Sequence, residues 1–313
     1  MIEPDIAVLV PCYNEDIAIR GVIESFRAAL PTAIIFVYDN NSRDRTAEVA
    51  RAAGAIVRTE RLQGKGNVVR RMFADIEADI YVLVDGDGTY DAASAPGLVR
   101  KLLDESLDMV NAVRVENSVA AYRAGHRFGN RVLTGCVAWT FGSRSSDMLS
   151  GYRVFSRRFV KSFPSLAEGF EIETELTVHA LELRLPIAEI PTPYRERPPG
   201  SVSKLNTYRD GFRIANTIFN LIKEEKPLAF FAAVALLLAV VAIALGAPIM
   251  ITYRHTGLVP RLPTAILAMG LMLTSFLSLT CGLVLDTVTR GRKESKRLAY
   301  LSIPIRFPRP PRH

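Results

Sequence analysis

Ile80-Tyr81-Val82-Leu83-Val84-Asp85-Gly86-Asp87 is the stretch that decides the fold: an apolar run closes on two carboxylates two positions apart. A short apolar run of this length reads as a buried strand. Alternate residues at a strand end point the same way, so Asp85 and Asp87 present two oxygen ligands suited to a hard divalent cation. A cation with open positions beside a βα crevice serves a diphosphate leaving group.

Outward from that strand, residues 1 to about 203 alternate strands with helices. Ile6–Val10, Ile34–Tyr38 and Ile56–Arg58 read as buried strands, and Asp108–Ala112 as a fifth after the one that delivers Asp85. Helices are expected after the turn Pro11-Cys12-Tyr13-Asn14-Glu15 through Leu30, over Thr46–Ala53, and opening at Gly64-Lys65-Gly66-Asn67. This rhythm implies βαβ units and an α/β fold with a mostly parallel central sheet. Ligands collect at the carboxyl ends of such strands, where Pro11, Asp39 and Asp85 all stand.

Three nucleotide-binding alternatives fail on named residues. A dinucleotide fold needs closely spaced glycines in the first βα turn, which here is Pro-Cys-Tyr-Asn-Glu. Gly64-Lys65-Gly66-Asn67 is too short for a P-loop and lacks its hydroxyl residue. An EF-hand loop needs glycine at its sixth position, whereas Gly88 stands at the fourth, and this motif follows a strand.

The C-terminal part has a different character. Pro227–Tyr253 and Leu262–Leu285 contain no charged residue, and each is long enough to cross a hydrocarbon core of ~30 Å. The short loop Arg254–Arg261 makes them a hairpin. Lys223 and Lys226 precede the first span, while Arg290, Arg292, Lys293, Lys296 and Arg297 follow the second, so the positive-inside rule puts both chain ends in the cytoplasm. Residues 204–226 read as an amphipathic helix with a basic face, suited to the membrane interface. Residues 290–313 read as a basic cytoplasmic tail that favours anionic lipid. The boundaries are therefore 1–203, 204–226, 227–289 and 290–313.

The 313 residues carry 39 Lys or Arg against 32 Asp or Glu, a formal charge of +7. The cluster beside the apolar spans and the lack of a recognition motif exclude nucleic acid as a partner. Cys12, Cys136 and Cys281 have neither disulfide nor zinc spacing, in keeping with a reducing cytoplasm. The N-terminus has no signal-peptide pattern. The expected place is a bacterial inner membrane with the large domain in the cytoplasm.

On six stretches in order, the chain resembles the family-2 glycosyltransferases of GT-A fold, and among them the polyprenyl-phosphate glycosyltransferases (the dolichol-phosphate mannose synthase-like group). They are Val8–Glu15, Val37–Thr46, Gly64–Asn67, Val84–Thr89, Ser150–Arg153 and Tyr194–Lys204. Asn40-Asn41 replaces the commoner Asp-Gly after Asp39, and Thr89 stands where some relatives have a Gln near the metal. The resemblance implies that Asp39 bonds the nucleotide base, with Pro11, Tyr13, Asn14 and Glu15 lining its pocket. Asp85 and Asp87, around Gly86, would hold Mg²⁺ or Mn²⁺. Lys65 is either near the donor diphosphate or a solvated loop charge. Arg197 and Lys204 would lie over the donor. Arg123, Arg127 and Arg131, spaced by four, would share a helix face that suits a lipid phosphate, and the resemblance favours Arg127, Arg131 and Arg153 for that contact.

The implied reaction moves a sugar from a nucleotide sugar, UDP before GDP, to polyprenyl phosphate with inversion. A phosphate with a second pKa of about 6 needs no strong general base. If a base exists, Asp147, Glu171 and Glu173 are the candidates. A glycolipid synthase acting on a lipid hydroxyl would require one. A non-catalytic sugar-nucleotide-binding subunit is the other alternative. A processive synthase is disfavoured because Trp139, the sole tryptophan, lies in no Gln-x-x-Arg-Trp motif. Membrane lipid is an expected partner, and relatives imply a homo-oligomer, a tetramer being one form.

Overall fold

The computed structural model describes residues 4–116, 135, 147–169, 171–198, 219–220 and 223–304. The chain divides into two compact units, Met1–Ile214 with Lys296–His313, and Ala215–Ser295.

In the first unit the elements run β1 (Ile6–Cys12), α1 (Ile19–Ala29), β2 (Ile34–Asp39), α2 (Thr46–Ala52), β3 (Ile56–Thr59), α3 (Lys65–Asp75) and β4 (Ile80–Leu83). They continue with α4 (Ala95–Asp104), β5 (Met109–Glu116), β6 (Arg153–Ser156), α5 (Arg157–Ser162), α6 (Ile172–Glu182) and β7 (Ile187–Tyr194). Among the described residues the sheet order is β3-β2-β1-β4-β6-β5-β7. β1 pairs in parallel with β2 and β4, β2 with β3, and β5 with β7; β6 is antiparallel to both of its neighbours. This is the mostly parallel α/β architecture expected. The strand Arg153–Ser156 was not foreseen, because its short run directly follows Ser150-Gly151-Tyr152, which reads as a binding motif.

Strand alternation sorts the core onto two faces. Val8, Val10, Val37 and Val82 pack with Ile23 and Phe26 of α1 and Leu98 of α4. Ala7, Leu9 and Tyr81 face Met72 of α3, Phe159 of α5 and Leu176 of α6. α1 buries Ile19, Val22, Ile23 and Phe26, the three-and-four spacing of one helical stripe. Ser156 caps α5 by accepting the amide of Phe159 at 3.1 Å.

The second unit contains α7 (Pro227–Thr256) and most of α8 (Leu262–Ser302). Pro227 opens α7 where its missing N–H costs nothing, and Gly257 ends it in the left-handed region at φ 67°. Both helices are long and apolar enough to cross a membrane, and only 11% and 17% of their most apolar windows is buried. A core helix of a soluble protein would be mostly covered. The two pack through small and hydroxyl residues: Ser275 Oγ donates to Ala235 O at 2.7 Å and Ser278 Oγ to Phe231 O at 3.0 Å.

From Arg290 to Ser302 the chain continues α8, while residues 305–313 of the expected basic tail lie outside the described residues. Much of the positive charge on this part of α8 is compensated within the chain. Arg290 pairs with Asp286, Arg292 and Lys293 with Glu225, and Lys296 with Glu182. In the first unit, Tyr300 donates its hydroxyl to Asp108 Oδ2 at 2.8 Å, and Arg158 donates to Ile303 O at 2.9 Å. The expected interfacial helix over 204–226 falls largely outside the described residues.

His179 on α6 lies among Phe159, Phe163 and Ser162. Burial, helped by the charge of Lys296, pushes its pKa down to about 3. The folded protein therefore holds it neutral while the unfolded chain protonates it below about 6.5, so the unfolded state binds more protons and stability falls as pH drops. Between pH 6.5 and 5 the loss is expected to be roughly 2 kcal/mol from this group. Chemical denaturation across that window should show the slope in the native protein and a flatter one in His179→Gln; equal slopes would contradict the assignment.

Candidate active site

The carboxyl ends of β1, β2 and β4 converge. Cys12 pairs with Asp39 across β1 and β2. Beyond β4, a Cβ placed on Gly86 would meet Cys12 Sγ at 2.5 Å, so the Asp85-Gly86-Asp87 turn passes directly over the end of β1. Glycine is what allows this approach. Asp39, Cys12 and Gly86 thus lie side by side, with Asp85 and Asp87 flanking the last.

Asp39 is buried, its Oδ2 accepts the amide of Ser42 at 3.2 Å, and its Oδ1 is buried with no hydrogen-bond partner. A carboxylate oxygen held dry without a donor is costly unless a ligand supplies one. Around it, Asn40 accounts for the departure from Asp-Gly. Its Nδ2 donates to Glu60 O and Leu62 O at 2.9 and 2.8 Å, and its Oδ1 accepts the amide of Gly64 at 2.7 Å. An aspartate could not donate to those carbonyls. Asn41 adopts φ 62°, a left-handed conformation that asparagine tolerates next best after glycine.

The loop after β1 is tied to the loop after β2. Asn14, at φ 53°, donates its amide to Ser42 Oγ at 2.8 Å, while its Oδ1 accepts from Arg43 N at 2.7 Å. The amide of Glu15 donates to Thr46 Oγ1 at 2.8 Å. Ser42 and Thr46 carry no sequence signal of this role, because their partners are some thirty residues away. Pro11 is the penultimate residue of β1 and Tyr13 follows the strand, so all four expected pocket residues sit on one short segment.

Asp85 and Asp87 each face a cation. Asp85 Oδ1 receives Lys65 Nζ at 2.5 Å, and Lys65 also pairs with Glu173 Oε1. Lys65 is not a solvated loop charge: its side chain, 10% exposed, lies between two carboxylates. Burial alone would lower its pKa, but Asp85 and Glu173 outweigh it and raise the pKa above the usual lysine value. Burial raises that of Glu173, against the pull of Lys65. Gly64 and Gly66 serve the close approach of the Ala167–Glu168 backbone, which covers this end of α3.

Asp87 Oδ1 accepts both the amide and the hydroxyl of Thr89, at 3.1 and 2.6 Å. Thr89 therefore orients the second carboxylate. Arg197 NH2 lies 2.8 Å from Asp87 Oδ2 and its NH1 is 3.9 Å from Glu15 Oε1. The amide of Arg195 donates to Thr89 O at 2.9 Å, and Tyr90 bridges to Tyr194, which fixes the segment leading to Arg197. Behind Asp85, the amide of Gly151 donates to Tyr90 Oη at 2.8 Å.

Arg153 is not where a phosphate contact requires it. It is fully buried, and its guanidinium donates to Ser150 O at 3.0 Å, Met148 O at 2.7 Å and Thr177 Oγ1 at 2.7 Å. Its motif begins a central strand, so the side chain is drawn into the core. Asp147 is engaged bidentately by Arg114 at 2.7 and 2.8 Å. Burial raises its pKa, but the Arg114 hydrogen bonds prevail and lower it, which removes it as a general base. Arg123, Arg127, Arg131 and Lys204 lie outside the described residues.

The two neighbouring aspartates fit a divalent cation as an incomplete oxygen set, with positions left for a diphosphate and with side-chain cations now balancing their charge. Among the described residues no group of three or more His, Cys, Asp or Glu is placed to hold a metal ion by itself.

The family model for glycosyl transferase family 2 matches residues 7–160. Glycosyltransferase AglJ of Haloferax volcanii is 31% identical over 95% of this chain and 99% of its own. The chain belongs to glycosyl transferase family 2. A dolichyl-phosphate hexose transferase of the same organism is 28% identical over 71% of this chain and 96% of its own. The fold is that of glucosyl-3-phosphoglycerate synthase from Mycobacterium tuberculosis, solved with Mn²⁺, UDP-glucose and phosphoglyceric acid. That match has 25% identity and a TM-score of 0.59, over 69% of this chain and 79% of that one. The matched residues of this glycosyltransferase contain the crevice and both aspartates.

Proposed function

We propose that this glycosyltransferase moves a sugar from a nucleotide sugar, with uridine the preferred base, to polyprenyl phosphate in a cation-dependent, inverting reaction. The observation that carries the reading is the unpartnered Asp39 Oδ1, buried one strand away from Asp85 and Asp87. A ring N–H of uracil or guanine would satisfy it. The relative whose name is dolichyl-phosphate hexose transferase supports the acceptor, and the solved synthase with Mn²⁺ and UDP-glucose supports the donor and the cation. Two helices long and apolar enough to cross a membrane support a lipid acceptor.

Asp85 and Asp87 would hold Mg²⁺ or Mn²⁺, which neutralises charge on the departing diphosphate. Asp39 fixes the base. Thr89 keeps Asp87 aimed, and Lys65 keeps Asp85 in place. An oxygen of the acceptor phosphate attacks the anomeric carbon, the bond to the diphosphate breaks, and its electron pair leaves with the nucleoside diphosphate. The attack inverts the anomeric centre. A dianionic phosphate brings its own electron pair, so no side chain has to remove a proton. That suits a site in which Asp147 and Glu173 are held by Arg114 and Lys65. Arg127 and Arg131 remain the proposed phosphate contacts. The positive residues at the outer ends of both spans favour a cytoplasmic catalytic domain.

Asp39→Asn tests the base contact. Loss of a charge-assisted bond of about 1.5–3 kcal/mol is expected to raise the donor KM by roughly 10- to 100-fold with kcat little changed. An unchanged KM for every UDP- and GDP-sugar accepted would contradict base recognition by Asp39.

A further inference from the structure

Arg197 stands where a cation bound to Asp87 would place its charge. Its guanidinium is 2.8 Å from Asp87 Oδ2, with Glu15 on its other side, and both carboxylates are buried while Arg197 is only partly exposed. The remaining oxygen of Asp87 is taken by Thr89, so Oδ2 is the oxygen over which a divalent cation and Arg197 must compete. Arg197 follows directly on Tyr194 and Arg195, which are anchored to Tyr90 and Thr89, so the chain delivers it to this point rather than leaving it to chance.

We infer that Arg197 is an internal counter-ion that occupies Asp87 until cation and donor arrive together. This inference rests on Asp85 and Asp87 being the cation site of the proposed reaction. In the donor-free protein the cation must displace a charge-assisted hydrogen bond, which weakens its binding. A nucleoside diphosphate changes the balance, because it offers Arg197 another anion and supplies oxygens to the cation. Cation and diphosphate therefore bind with positive coupling, and each raises the affinity for the other by the same factor. The consequence is that the protein holds little cation until a donor is present, and the charge of Asp87 is never left buried and unpaired.

The test uses the full-length protein in detergent and Mn²⁺ followed by electron paramagnetic resonance, without sugar transfer. In the absence of nucleotide, Arg197→Gln is expected to bind Mn²⁺ about tenfold more tightly than the native protein, the scale of one lost charge-assisted competitor. Adding UDP or GDP, with correction for nucleotide-bound Mn²⁺ in solution, should tighten Mn²⁺ strongly in the native protein and less in the variant. Arg197→Lys should fall between them. Equal or weaker Mn²⁺ binding by Arg197→Gln without nucleotide would overturn the inference. Asp87→Asn separates the two levels: if it loses Mn²⁺ while Arg197→Gln changes nothing, the cation site stands and the competition does not. If Asp87→Asn binds as the native protein does, the cation site itself falls and the inference with it.

Discussion

Asp87→Asn is expected to lower the rate of sugar transfer by about 10²–10³-fold, the scale of removing one preorganised electrostatic stabiliser from a reacting centre. The change keeps the shape of the side chain. Its Oδ1 can still accept from Thr89, so the turn should hold and the melting temperature should move little. What disappears is the negative charge that Arg197 now compensates and that a divalent cation needs. Initial rates in detergent, alongside circular dichroism, measure the effect. A folded variant within a few fold of native activity would remove Asp87 from the catalytic account.

The second large effect is on stability. Lys65→Met would leave Asp85 and Glu173 facing each other with nothing positive between them. Breaking a fully buried pair on one side costs about 3–5 kcal/mol; Glu173 is buried but Asp85 is 28% exposed and partly solvated, so the loss is expected toward the lower end of that range. Part of that loss is avoided if Glu173 takes up a proton, which its raised pKa favours. Lys65→Met combined with Glu173→Gln should therefore be more stable than Lys65→Met alone. Urea denaturation of the three proteins reads the difference. A Lys65→Met protein as stable as the native one would show that the triad contributes nothing to the fold.

The parts of this molecule that were legible in its sequence are those whose signal is local. Ile80–Val84 ending in Asp85 marks a strand because five neighbours share one character, and the same holds for Ile6–Val10 and Ile34–Tyr38. The membrane-length helices are local in the same sense. Asp39 and the Asp85-Gly86-Asp87 turn were singled out because strand ends gather ligands in this class of sheet, and they do lie at the carboxyl ends of β2 and β4 on either side of β1. The misreadings involve residues whose environment comes from far along the chain. Arg153 looks like a phosphate ligand beside Ser150-Gly151, yet its acceptors include Thr177, and only the antiparallel placement of β6 encloses it. For Lys65, with a glycine on each side, the sequence left a place near the diphosphate and a solvated loop charge equally open; its ion pair with Glu173 of α6 rules out only the second. Likewise the basic run from Arg290 suggests a free tail until Lys296 is seen paired with Glu182. Charged side chains disclose their chemistry in sequence but not their partners.

The most direct test of the reaction is a transfer assay with purified full-length protein, undecaprenyl phosphate, Mg²⁺ or Mn²⁺, and a panel of radiolabelled UDP- and GDP-sugars. Sugar should enter the lipid phase from one donor, require the cation, and do so far more slowly with Asp87→Asn. Transfer to the corresponding lipid alcohol but not to the phosphate would contradict the proposed acceptor, and no transfer from any donor would contradict the proposed reaction.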